Sequence, residues 1–242
     1  LSPRLAPMIL RYTLTRRLYR HFDYRHAIAI ILTLVIATHS NSISATQPSI
    51  DAWERGVAVT ASQFMAVIAH PQAAQVARHI LAQGGSAMDA AVAAQLVLNL
   101  VEPQSSGIGG GAFLLYWNAA ENHLYAFDGR ETAPATATPN HFLHKDGTPL
   151  GWWEAVIGGH SVGVPGTLHL LHTAHRRFGR IPWADLFSPA VQLAEDGFRI
   201  SPRLAKSIER AKERGLTAFD ASRRYFFTSA GTPRPAGSLL RN

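Results

Sequence analysis

The 242 residues contain no cysteine, so neither a disulfide nor a thiolate metal site can hold this chain together. That absence is compatible with an oxidising compartment but does not require one. Charged residues are few, 16% against 47% hydrophobic, which excludes a disordered chain and leaves a globular one able to bury a substantial core. The length allows one large domain or two small ones. No internal repeat and no low-complexity tract occurs. Nor does Gly-Lys-Ser/Thr, which removes a Walker-type phosphate loop. The dipeptide Thr-Thr is also missing.

What charge there is lies unevenly. Of the net +7, residues 1–45 supply +5, from Arg4, Arg11, Arg16, Arg17, Arg20 and Arg25 against Asp23, and the other 197 residues supply +2. The basic character belongs to a leader, and a nucleic-acid partner is therefore not expected. After the arginines comes the uncharged run AIAIILTLVIA (Ala27–Ala37), the length of a signal-peptide core and too short to span a bilayer comfortably. Ile43-Ser44-Ala45 is an acceptable small-residue cleavage site. Residues 1–45 are thus expected to be an export signal, placing residues 46–242 in the periplasm or outside the cell, or at the membrane if the leader is not cleaved. Arg16-Arg17 carries only a weak twin-arginine signal, and Met8 is read as the start.

Beyond the leader, short apolar runs alternate with helical patterns. VAV (Val57–Val59) and MAVIA (Met65–Ala69) read as strands. His70-Pro71 opens a helix with apolar residues at three- and four-residue steps, closed by Gly84-Gly85. Ser86 and Asp89 have capping-box spacing ahead of AAVAAQLVLNLV, which is apolar almost all round and hence buried. AFLLYW and HLYAFD read as a hairpin, followed by a proline-rich loop over residues 132–149. Helical patterns return at residues 167–178, 183–195 and 202–214, the last with Ser201 as its N-cap and proline just after it, and residues from 228 onward show no regular period.

Between the buried helix and the hairpin lies EPQSSGIGGGAFLLYW, which spells G-x-G-x-x-A at Gly107, Gly109 and Ala112. A dinucleotide loop leaves a strand and enters a helix, whose N-terminus holds the pyrophosphate. Here a helix runs in and a strand runs out, so nucleotide binding is not expected. Two readings stay open. The glycines either permit tight backbone packing, or let a ligand approach the backbone amides.

The segments AHPQAAQVARHILAQGGSAMDAAVAAQLVLNLVEPQSSGIGGGAFLLYW, DGRETAPATATPNHF, GGHSVGVPGTLHLL and GRIPWADLFSPAVQLAEDGFRIS together resemble the large subunit of the gamma-glutamyltranspeptidases, or glutathione hydrolases. The resemblance covers nearly all of residues 56–242. It implies an α+β fold, part of the αββα sandwich of an N-terminal-nucleophile hydrolase, incomplete in this chain, with apolar sheet faces left uncovered. It also implies a proenzyme that cleaves itself, freeing a threonine whose own α-amine activates it to attack gamma-glutamyl amides such as glutathione. Backbone donors would stabilise the oxyanion, and the acyl group would pass to water, an amino acid or a peptide.

Arg130, in DGRETAP, matches the family arginine that grips the glutamyl carboxylate, a pairing that two parallel guanidinium hydrogen bonds make strong. On the residues alone, a turn arginine paired with Asp128 or Glu131 is the favoured reading, and the surrounding motif reverses that preference. Asp128 and Glu131 are candidates to orient it. Ser105, Ser106, Gly109 and Gly110 are candidate pocket walls. His169, His172 and His175 recur at three-residue steps, but drift round the helix with no carboxylate among them, so no metal is expected, nor any cofactor. The family nucleophile lies downstream in the small subunit, in a Thr-Thr-His-like context that is not among these residues. The chain is expected to end within the large subunit, to need a C-terminal or small-subunit partner, and to be inactive alone. Alternatives are a cephalosporin-acylase-like amidohydrolase on the same scaffold, or a non-catalytic remnant that binds ligand at most.

Overall fold

A computed structural model describes residues 58–242, and the fold is carried by the compact unit Ala61–Asn242. The expected leader and Val57 lie outside the described residues. No helix among the described residues is long and apolar enough to cross a membrane.

Helix α1 (Pro71–Ala82) starts as its sequence dictates. Pro71 occupies the first turn, where its missing N–H is no loss, and the His70 Nδ1 accepts from the Gln72 amide at 3.3 Å. Ala73, Ala77 and Ile80 form its buried stripe. Helix α2 (Ala87–Val101) is capped by Ser86, whose hydroxyl accepts from the Asp89 amide while the Asp89 carboxylate accepts from the Ser86 amide at 2.7 Å. Buried Met88, Val92, Leu96, Val97 and Val101 make α2 the axis of the core, each large side chain contributing roughly 1.5–3 kcal/mol of burial.

Strands β1 (Ala112–Asn118) and β2 (His123–Gly129) pair antiparallel in the register Phe113↔Asp128, Leu115↔Ala126 and Trp117↔Leu124. The turn between them holds Asn122 at φ 50°, a conformation asparagine tolerates better than most residues. Strand alternation gives this ribbon two different faces. Leu114, Tyr116, Tyr125 and Phe127 turn inward, and Tyr116, Tyr125 and Phe127 gather round Phe178 of helix α4, with Tyr116 stacked at 4.1 Å. Phe113, Leu115, Trp117 and Leu124 turn outward and are exposed, a continuous apolar strip.

Helix α3 (Trp152–Val156) follows the proline-rich loop, and α4 spans Thr167–Phe178. The helix expected over 183–195 is split into a 3-10 turn, Trp183–Phe187, and helix α5 (Ser188–Asp196), because Pro189 in the first turn of α5 lacks the N–H that a through-running helix would use. Strand β3 (Phe198–Arg199) precedes α6 (Pro202–Glu213), capped by Ser201 as its sequence indicates. A 3-10 turn at Leu216–Ala218, helix α7 (Asp220–Phe226) and strand β4 (Leu239–Leu240) complete the unit, with β4 antiparallel to β3.

Two expectations are corrected. Neither Ala58–Val59 nor Met65–Ala69 forms a strand. The second segment keeps a strand's alternation, with Ala66 and Ile68 packed on the core and Met65 and Val67 exposed, yet no neighbouring backbone among the described residues pairs with it. Side-chain pattern sets which face is buried, whereas a strand also requires a partner. The tail, read as irregular, contains β4. At two residues that strand is too short to leave an alternating signature.

Asp89 connects the elements. Its side chain is fully buried and accepts from the Ser86 amide and hydroxyl, the Arg180 amide at 3.0 Å and the Ile181 amide at 3.4 Å, with the His175 Nε2 3.3 Å away. Asp89→Ala strands these donors in the core and is expected to lower unfolding free energy by about 3 kcal/mol or more, read from the urea midpoint. His70 gives a second test. Burial pushes its imidazole below the ordinary value of 6.5, with the Glu102 carboxylate partly opposing this. Its capping nitrogen must be unprotonated, and the unfolded chain takes the proton first as pH falls. The stabilisation is therefore full above about 6.5 and lost as pH drops through the lowered folded value. Urea midpoints measured between pH 7.5 and 5 should fall less steeply for His70→Asn, which keeps a cap acceptor without titrating.

Candidate functional site

Three backbone segments meet at one point. The Gly110 carbonyl, in the loop between α2 and β1, accepts from the Gly166 amide at 3.0 Å and the Thr167 amide at 3.1 Å, at the start of α4. The end of β2 crosses the same place, since a Cβ on Gly166 would collide with the Gly129 carbonyl. Just beyond, Val164 donates to the Thr132 carbonyl at 2.9 Å and ties DGRETAP to GVPGT. Gly111 packs against Glu131 so closely that any Cβ would overlap its carboxylate and its amide nitrogen.

A cleft of about 360 Å³ opens beside this junction, lined among others by Gln95, Ser105, Ser106, Gly107, Glu131 and Thr167. Of the walls expected from sequence, Ser105, Ser106 and Gly110 line it, while Gly109 stands off from it. The glycines separate into two kinds. Gly110 and Gly111 lie against Glu131. Gly107 and Gly109 have open space or only distant contact where a side chain would stand, and neither adopts a positive φ, so packing does not demand glycine there.

Side chains from two helices hold the loop. Gln95 of α2 donates to the Ser106 hydroxyl at 2.5 Å and to Asn99 at 3.2 Å. Arg203 of α6 reaches back across the fold, donating through Nη1 to buried Glu102 at 2.7 Å and through Nη2 to the Ser105 hydroxyl at 3.0 Å. A half-exposed Arg203 thereby pairs a carboxylate that is otherwise cut off from water.

Two polar atoms in the cleft wall are buried without a hydrogen-bond partner, the Glu131 Oε2 and the Thr167 Oγ1. Arg130 does not line the cleft. Its side chain is 69% exposed and its Nη1 lies 3.3 Å from the Glu131 Oε2, an ionic approach without hydrogen-bond alignment. The Arg130 amide donates to the Asp128 carboxylate at 2.9 Å, which fixes the turn. Sequence placed Arg130 and Glu131 here, but gave no sign of Thr167 or Arg203. Gln95 and Asn99 left a trace, as the polar interruptions of an otherwise apolar helix. Of the α4 histidines, His175 Nε2 lies on the Ile181 carbonyl at 2.9 Å, and both His172 and His175 pack against Trp183.

The family model for gamma-glutamyltranspeptidase matches residues 73–242, well over half of the chain. A glutathione hydrolase proenzyme of Bacillus subtilis (strain 168) is 42% identical over 150 residues, which are 62% of this chain and 26% of that protein. The crystal structure of Helicobacter pylori gamma-glutamyltranspeptidase superposes with a TM-score of 0.71 at 34% identity, covering 76% of this chain and 52% of that one. A cephalosporin acylase from Bacillus halodurans superposes with a TM-score of 0.57 at 27% identity, over 76% of this chain and 37% of that one. The chain thus spans about a quarter of the length of that curated relative and half of that solved one. With the glycine loop, the DGRETAP turn and the start of α4 joined as described, and the family match running from Ala73 to Asn242, the chain belongs to the gamma-glutamyltranspeptidase family.

Proposed function

We propose that this chain supplies the glutamyl-binding wall of a gamma-glutamyltransferase or glutathione hydrolase, made as a proenzyme with the sandwich fold of N-terminal-nucleophile hydrolases. The observation that carries the reading is the convergence of the glycine loop on Arg130-Glu131, where Gly111 lies under the Glu131 carboxylate and Ser105 and Ser106 wall the same cleft. Gly107 and Gly109, which packing does not constrain, support the alternative left open by sequence, that a ligand approaches the backbone there.

In this reading Arg130 takes the α-carboxylate of the gamma-glutamyl group. Its guanidinium is exposed, and its approach to Glu131 leaves hydrogen-bonding capacity for a second carboxylate. Glu131, anchored against Gly111, holds the turn from which Arg130 projects. Ser105 is set by Arg203 and Ser106 by Gln95, so both hydroxyls are fixed before substrate arrives. The nucleophile is a threonine freed at a new N-terminus in a partner segment, since these residues contain no Thr-Thr. The exposed strip Phe113, Leu115, Trp117 and Leu124 is the face on which that segment's sheet would pack. The acyl group then passes to water, an amino acid or a peptide.

The likeness to the cephalosporin acylase favours one second reading, an amidohydrolase on the same scaffold that acts on a different amide. A single substitution separates them. In a protein joining this chain to a threonine-bearing partner segment, Arg130→Ala should raise KM for gamma-glutamyl-p-nitroanilide roughly a hundredfold, the worth of a paired charged hydrogen bond, with partial rescue by Arg130→Lys. An unchanged KM would overturn the carboxylate assignment and favour the acylase reading. Residues 46–242 alone should release no p-nitroaniline, and measurable turnover by them would sink the proposal. The leader supports export, with Thr46 as the mature N-terminus, and N-terminal sequencing of protein from an exporting host checks it.

A further inference from the structure

A second cleft, of about 400 Å³, is formed by α7, the residues after it and β4, and is lined by Arg224, Tyr225, Arg234, Leu239, Leu240 and Arg241. Three guanidinium groups share this space and no carboxylate lines it. None of the three forms an ion pair with a described residue, and the nearby Asp220 is already engaged by Arg223. Two of the arginines are held by one end only. Arg234 donates through Nε to the Tyr225 carbonyl at 2.9 Å, and Arg241 donates through Nε to the Asp196 carbonyl at 3.2 Å. Each anchor fixes the base of the fork and leaves the terminal Nη groups without an acceptor among the described residues.

Charge along the chain points the same way. Residues 196–242 contain 10 Lys and Arg against 4 Asp and Glu, a net +6, whereas residues 46–195 contain 7 against 11, a net −4. The small positive total of the chain beyond its leader conceals a basic C-terminal quarter. Like charges gathered in one concave space repel, and an anion placed among them relieves that repulsion while accepting charge-assisted hydrogen bonds. Buried Leu240 and half-buried Tyr225 form the apolar part of the wall, and burial pushes the Tyr225 phenol upward, keeping it a hydrogen-bond donor.

We propose that this cleft is an oxyanion-binding site, taking the phosphate or carboxylate group of a small anion among the guanidinium groups of Arg224, Arg234 and Arg241. It shares no residue with the glycine-loop cleft, and it stands or falls independently of the function proposed for that cleft. Equilibrium dialysis of the full chain against labelled inorganic phosphate, and separately against labelled succinate, tests it, because retention is read whatever the association state of the protein.

Phosphate should be retained, less so as sodium chloride is raised. Arg234→Met should weaken retention roughly tenfold or more, the scale of one charge-assisted hydrogen bond. Arg224 is exposed, so Arg224→Met reports on the cleft without touching the packing, and it should weaken retention in the same direction. Arg210→Met, an exposed arginine outside the cleft, should change nothing. Preference for phosphate over succinate identifies a phosphate site, and comparable retention identifies a general carboxylate or phosphate site. No retention of either anion, or retention that survives the Arg224→Met/Arg234→Met pair, overturns the proposal.

Discussion

The buried carboxylate of Asp89 is the interaction on which the rest of this structure depends. A carboxylate with no solvent is tolerable only when its oxygens are fully engaged, and here the donors come from separate parts of the chain. Ser86 supplies the cap of α2, and Arg180 and Ile181 supply two amides from the turn after α4, while His175 of α4, bonded to the Ile181 carbonyl, stands 3.3 Å away. One side chain therefore sets the start of the central helix and the place where the following helix must leave it. With α2 and α4 fixed, Phe178 is positioned to receive Tyr116, Tyr125 and Phe127, and the ribbon docks by its inner face.

The candidate site is a consequence of that docking at the level of the backbone. Glycines at 110–111, 129 and 166 let three chain segments approach more closely than side chains would allow, and the Gly110 carbonyl serves two amides at the head of α4. Polar side chains then fill in around the crossing. Arg203 and Gln95 secure the serines, and Glu131 is wedged against the loop. The unpartnered Glu131 Oε2 and Thr167 Oγ1 are the atoms this arrangement leaves without a bond, and they lie in the wall of the cleft.

Much of this was legible beforehand, and the physical reasons differ by element. The caps at Ser86 and Ser201 are local signals, decided by side chains three residues from the amides they serve, so they read directly. The hairpin was legible because period-two alternation survives over seven residues in each strand. The helical pattern over 183–195 runs through a proline that breaks it, and Met65–Ala69 reads as a strand because it has a strand's pattern. The cleft over Arg224, Arg234 and Arg241 went unseen, because a net charge of +2 over 197 residues averages an acidic stretch against a basic one.

The sequence by itself determined the helix boundaries set by caps and prolines, the apolar character of α2, the direction of chain through the glycine loop, and hence the exclusion of a nucleotide fold. All of these are fixed by residues a few positions apart. Tertiary structure alone decided which glycines are under packing constraint, that Arg203 holds Ser105 from 98 residues away, that Thr167 faces the cleft, and that Arg130 stands outside it in solvent. Those are contacts between segments remote in the chain. Their geometry is set by how the helices and the ribbon pack, and packing leaves no periodic trace in the order of residues.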